Sequence, residues 1–198
     1  MNYLAHAYLS FNEEEILVGN MISDFVKGKK KFDYTVGIQK GIELHRAIDE
    51  FTDDHAATKE AKQFFRADYG LYAGAFMDVV YDHFLANDKN EFADENALLS
   101  FTQDTYFILE KNATVFPERF QRMFPHMQQH NWLFNYRSYW GTEQSLGGLV
   151  RRAKYMNDSS KAFEIFQKEY QSFQHYYDKF FPELKKFTIN KLNELLAA

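Results

Sequence analysis

The sequence predicts an all-α protein, folded as a compact multi-helix domain, on three observations. Apolar residues recur at spacings of three and four, as in Leu44, Ile48 and Phe51 or Phe163, Phe166, Tyr170 and Phe173, which is the period of a helix face. No sustained alternating stretch and no Asn-Gly hairpin signal is present. The prolines are three, Pro117, Pro125 and Pro182, so the first 116 residues hold none to break a helix.

The elements follow from these signals in order. A short helix is expected near residues 2–9. Asn12 with Glu15 has the spacing of a capping box, opening a helix that reaches about Val26 and stops at Gly28. Further helices are expected near 34–52, 54–67, 71–87 and 95–111. Residues 117–148 carry two prolines and three glycines and read as short helices and loops, with Gly147-Gly148 as a hinge. A long helix starts near 159 and is interrupted near Pro182. No linker or repeat divides the chain, so residues 1–198 are expected to form one domain.

Composition narrows the function. The chain is 45% hydrophobic and 18% aromatic, with Phe and Tyr supplying most of the latter, so aromatic plates should fill the core. There is no cysteine, which removes disulfides, thiolate metal sites and thiol nucleophiles and fits a reducing, cytoplasmic setting. No apolar run approaches the ~20 residues that span a bilayer, and the acidic Glu13, Glu14 and Glu15 come too early for a signal peptide, so no membrane partner is expected. A net charge of −5 argues against a nucleic-acid partner. The oligomeric state is not encoded in any of these features.

Four segments place two polar, ligand-capable residues four apart on one helix face: Asn2 and His6, Asn20 and Asp24, His45 and Asp49, Asp78 and Asp82. Their neighbours are apolar, with Leu9 near His6, Leu17 and Met21 near Asp24, and Ile38 and Ile42 near His45. One histidine on an apolar face is more often a hydrogen-bonded core residue than a ligand. Four such pairs within 90 residues change the balance, because buried carboxylates that share a site repel one another and a divalent cation relieves the repulsion. Asp oxygens and His nitrogens without sulfur favour Mn, Fe, Mg or Zn. His83, next to Asp82, reads about equally well as a metal ligand or as a residue of the core or behind the ligands. Phosphate loops, dinucleotide fingerprints, H-E-x-x-H and G-x-S-x-G are all absent, so chemistry here is expected to be metal-assisted.

The segments "MNYLAHAYLS", "GNMISDFVKG", "GIELHRAIDEFTDD" and "MDVVYDHFL", with "NWLFNY" further on, resemble in order and spacing the acyl carrier protein phosphodiesterase family. The resemblance implies an all-helical, HD-like fold, a divergent branch of the HD phosphohydrolases. It implies a divalent metal, Mn²⁺ favoured, and holo-acyl carrier protein as substrate, cleaved to apo-carrier and 4′-phosphopantetheine. His6, Asp24, His45, Arg46, Asp49, Asp78, Asp82 and His83 stand at its motif positions. The superfamily's hallmark is His followed by Asp; here the order is Asp82-His83, and His45 precedes Arg46. The direct ligands therefore do not follow from the superfamily pattern; Asp24, His45, Asp49, Asp78, Asp82 and His83 are ranked ahead of His6.

The expected mechanism is in-line attack on phosphorus by water that the metal acidifies. Asp24, Asp49 or Asp82 would orient the water. Arg46 would hold a nonbridging oxygen or, equally, pair with Asp49 or Asp53. Lys27, Lys29, Lys30 and Lys31 follow Asp24 closely and are either a solvated run or the docking patch for an acidic carrier, with Arg151, Arg152 and Lys154 as the next candidates. Two rival readings remain: hydrolysis of another small phosphoester or nucleotide at the same site, and a non-enzymatic module binding a partner through Tyr136, Tyr139 and Trp140.

Overall fold

The protein is described by a computed structural model covering residues 1–153 and 158–197. Its elements are α1 (Tyr3–Tyr8), α2 (Glu14–Ile22), α3 (Val36–Asp54), α4 (Ala56–Ala61), α5 (Gln63–Tyr69), α6 (Ala73–Asn87), α7 (Glu95–Lys111), α8 (Glu118–Gln129), α9 (Trp132–Asn135), α10 (Tyr139–Arg152), α11 (Ser160–Lys168) and α12 (Tyr170–Ala197). Short 3₁₀ turns cover Ser23–Phe25, Gly28–Asp33, Gly70–Tyr72 and Ala113–Val115. No strand occurs among the described residues, as the spacing predicts. No helix among them is long and apolar enough to cross a membrane.

Local chemistry sets the helix starts. The Thr35 hydroxyl accepts from the Ile38 amide to open α3, and the Asp94 carboxylate accepts from Ala97 to open α7. The Ser138 hydroxyl does the same for Gly141 at the start of α10. The expected capping box fails. Asn12 has φ +64° and lies outside the helix, and Glu15 accepts instead from the Thr35 hydroxyl at 2.6 Å. Residues 54–67 form two helices that meet at Lys62. The region with two prolines and three glycines is more helical than expected: α8 tolerates Pro125, and α10 runs unbroken through Gly147 and Gly148. The final break falls at Glu169, while α12 carries Pro182 inside it.

α2 and α3 lie together at two glycines. A Cβ on Gly19 would stand 2.1 Å from the Ile38 carbonyl oxygen, and one on Gly41 would stand 2.4 Å from that of Ile16. Only glycine permits this backbone contact. α12 runs across α3, α4 and α6. Aromatic plates fill the space between them: Phe65 stacks on Phe173 at 5.3 Å, and Tyr81 on Phe180 at 4.6 Å. α1 sits at one end of this core, against α2 and α6.

Candidate metal centre

α1, α2, α3 and α6 bring their polar residues to one place. Single ligand atoms of His6, His45 and Asp49 all lie within 4.8 Å of one another, near the spacing of groups sharing an ion at about 2.0–2.2 Å each. His45 Nε2 is 3.1 Å from Asp49 Oδ2 and 3.3 Å from Asp24 Oδ1. His6 Nε2 is 3.2 Å from Asp49 Oδ1. The imidazoles of His6 and His45 stack, with centroids 3.9 Å apart. Asp24 leads outward from the group, its side chain 68% exposed.

Asn20 fixes both rings. Its amide nitrogen donates to the His6 carbonyl at 2.8 Å and to the Ser10 hydroxyl at 3.1 Å, which turns its oxygen toward His6. His6 Nδ1 donates to that oxygen at 2.8 Å. His45 Nδ1 donates to the Asn20 backbone carbonyl, also at 2.8 Å. The close contact at Gly19 and Gly41 brings that carbonyl within reach. Each histidine thus spends its Nδ1 proton on Asn20 and turns Nε2 toward the carboxylates, the arrangement in which a histidine binds metal.

The His6 nitrogen shows that the site fits a cation. His6 Nε2 is buried and has no hydrogen-bond partner. Its lone pair faces a carboxylate oxygen 3.2 Å away, which is unfavourable unless positive charge stands between them. Burial lowers the His6 pKa to about 4, aided by the nearby His45, so that ring stays neutral. Burial also opposes charge on His45, but Asp24 and Asp49 overcome it and hold that ring up at about 9. Burial would raise the Asp49 carboxyl, but the Met1 ammonium and the charged His45 hold it well below the usual carboxylate range. The Met1 amine donates to Asp49 at 3.2 Å and lies 3.0 Å from Asp78. Burial would lower its pKa, yet those two acids hold it up at about 11. Burial raises the Asp78 carboxyl.

The sequence comparisons bear on this geometry. The family profile described as acyl carrier protein phosphodiesterase matches residues 1–184. The chain belongs to this family. It is 28% identical to the acyl carrier protein phosphodiesterase of Photorhabdus laumondii over 96% of both chains. It is 29% identical to that of Yersinia enterocolitica, over 93% of this chain and 95% of the relative. No solved structure matches it.

The positions that carry the family resemblance divide in two. His6, Asp24, His45, Asp49 and Asp78 gather at the candidate centre. Asp82 and His83 do not, and His6, ranked last from sequence, lies in its middle. The fully buried Asp82 carboxylate accepts from the amides of Leu4 at 2.8 Å, Ala5 at 3.2 Å and Asn2 at 3.3 Å. It caps α1 and fastens it to α6. Burial pushes this carboxyl up to about 7, against the amides and the Met1 ammonium, which favour the carboxylate. His83 points elsewhere. Its Nδ1 lies 2.8 Å from the Tyr136 carbonyl and 3.0 Å from the Thr142 hydroxyl, and its Nε2 lies 3.1 Å from the Tyr170 hydroxyl. Both nitrogens are taken, which makes it a core histidine, with burial lowering its pKa to about 4.

Arg46 donates to the Val26 carbonyl at 3.3 Å, steadying the turn that carries Asp24. It pairs with neither Asp49 nor Asp53, the latter bonding Lys62 at 2.6 Å. Lys27, Lys29 and Lys30 are exposed and make no ion pair among the described residues, whereas Lys31 pairs with Glu43 at 2.6 Å. Of the aromatic patch, Tyr139 and Trp140 are exposed but Tyr136 is buried. Lys154 lies outside the described residues. Sequence reasoning missed Asn20 as a site residue. Its four-residue spacing from Asp24 drew attention to it, but nothing in that spacing told that it would orient two histidines.

Proposed function

We propose that the chain hydrolyses the phosphodiester joining 4′-phosphopantetheine to the serine of holo-acyl carrier protein. A divalent metal, manganese by preference, would be held by His6, His45 and Asp49. One observation carries this reading: two imidazoles with their Nε2 atoms turned by Asn20 onto one carboxylate, in a chain that matches the acyl carrier protein phosphodiesterase family over residues 1–184. When bound, the ion supplies charge neutralisation at the phosphoryl oxygens and an acidified water.

The chain's own residues do the rest. Asp24, exposed at the edge of the group and 3.3 Å from His45 Nε2, would orient the attacking water and accept its proton. Arg46 acts through the turn it holds at Val26 and is a positioning residue. Asp78 and Asp82 keep α1 seated, and with it His6.

Docking of the carrier is assigned to Lys27, Lys29, Lys30 and Lys31. They lie on or beside the 3₁₀ turn Gly28–Asp33, shortly after Asp24, together with the exposed Phe32. A chain of net charge −5 needs such a local basic patch to meet an acidic partner. Mass measurement of holo-carrier before and after incubation with the protein and Mn²⁺ tests the reading. The carrier should lose the mass of the 4′-phosphopantetheine group; an unchanged mass contradicts it.

A further inference from the structure

A cavity of about 550 Å³ opens against α1, the helix that carries His6, and is bordered also by α8, α9 and α10. α10 supplies one wall through Trp140, Gln144, Gly148 and Arg152, which recur every four residues and so share a face. Gly148 keeps the space open: a Cβ there would meet only arginine side-chain ends, at 3.7 and 3.8 Å. Gly141 pulls α10 onto α9, where a Cβ would stand 1.9 Å from the Asn135 carbonyl oxygen. That contact sets Trp132 and Asn135 of α9 into the lining with Trp140.

The cavity and the candidate centre share α1. Tyr3 lines the cavity and stands one helical turn before His6 on α1. The Tyr3 hydroxyl donates to Met123 Sδ, another residue of the lining, at 3.7 Å.

We propose that this cavity receives the pantetheine arm of the substrate, an inference that rests on the function proposed above. The arm is long, uncharged beyond its phosphate, and carries two amides, a hydroxyl and a gem-dimethyl carbon. Trp132 and Trp140 offer apolar plates for its carbon skeleton. Asn135 and Gln144 offer donors and acceptors for its amides. Arg151 and Arg152 add positive charge, and Tyr3 on the border belongs to α1, the helix that carries His6, so the phosphate end lies toward the candidate centre. The volume is within the range of small-ligand sites, about 300–1,000 Å³.

Trp132 and Trp140 are the two tryptophans of the chain, and both line the cavity, so intrinsic fluorescence reads it directly. Free 4′-phosphopantetheine should change that fluorescence saturably, with pantetheine weaker and adenosine monophosphate without effect at equal concentration. Gly148→Leu, filling the space, should abolish the response and raise KM for holo-carrier roughly 10-fold or more, about 1.4 kcal/mol. Its helicity and manganese stoichiometry should match wild type. Trp140→Ala, at a half-exposed position, should weaken phosphopantetheine binding in an equilibrium dialysis assay and serves if Gly148→Leu misfolds. Wild-type protein that cleaves holo-carrier without a fluorescence response overturns the cavity assignment alone. So does a Gly148→Leu protein with wild-type kcat/KM, or a response to adenosine monophosphate in place of phosphopantetheine. Wild-type protein that leaves holo-carrier intact overturns the functional reading, and the assignment falls with it.

Discussion

The imidazole of His45 lies flat on that of His6, with centroids 3.9 Å apart and planes 14° apart. Two imidazolium rings would repel strongly at that distance, so one neutral ring faces one that the carboxylates keep charged. In the metal-bound protein both would present lone pairs to the ion. His6→Ala, His45→Ala and Asp49→Ala should therefore each remove stoichiometric manganese, read by elemental analysis of the dialysed protein. His83→Ala should retain it, since that ring bonds Tyr136 and Tyr170 instead.

Asn20 should act on metal affinity without touching the metal. Asn20→Ala frees the His6 ring, leaves its buried Nδ1 proton without an acceptor, and removes one of the two donors to the His6 carbonyl, the Ser10 hydroxyl remaining. Manganese affinity measured by calorimetry should fall roughly 10–100-fold. Urea unfolding should show a loss of about 1–3 kcal/mol from the buried groups left unpaired. Unchanged affinity would separate Asn20 from the centre.

His83 gives a pH signature in stability. Its pKa is about 4 in the folded chain against 6.5 unfolded, because burial disfavours the charged ring. Between those values the unfolded chain binds the extra proton. Stability from this residue is thus complete above pH 6.5 and is lost as pH falls toward 4, by about 3 kcal/mol in all. A His83→Gln variant should lose less stability than wild type between pH 6.5 and 4. Parallel pH profiles by urea unfolding would contradict the core assignment.

What the sequence made legible follows from the range of the forces involved. Helix spans came from local periodicity, and α7 begins at the residue expected because Asp94 caps it three residues away. The misread boundaries have tertiary causes. Glu15 was drawn to Thr35, and α12 carries Pro182 among buried Phe180, Phe181 and Leu184. At the candidate site, spacing picked out His6, His45, Asp49 and Asp78, which stand on helices that meet there, and Asp24, which leads outward from the turn after α2. The same spacing could not tell Asp82 from a ligand. Its partners, the Leu4 and Ala5 amides, lie 78 and 77 residues away and carry no side-chain signal. Asn20 was visible as one of a pair, yet its backbone carbonyl, which holds His45, has no sequence signature at all.

Charge reversal should expose the docking surface. Lys29 and Lys30 make no ion pair among the described residues, so Lys29→Glu with Lys30→Glu disturbs little within the fold. kcat/KM for holo-carrier should drop roughly 10-fold at low salt. The gap from wild type should close as salt shortens the screening length to about 8 Å near physiological strength. Equal kcat/KM at low salt would move docking to Arg151 and Arg152.

The central claim, that His6, His45 and Asp49 hold the metal, is tested most directly by anomalous diffraction at the manganese edge from Mn²⁺-soaked crystals. The account predicts a peak within bonding reach of His6 Nε2, His45 Nε2 and an Asp49 oxygen. A protein that cleaves holo-carrier only with Mn²⁺, yet shows its peak at Asp82 and His83 or none at the two stacked histidines, would contradict it.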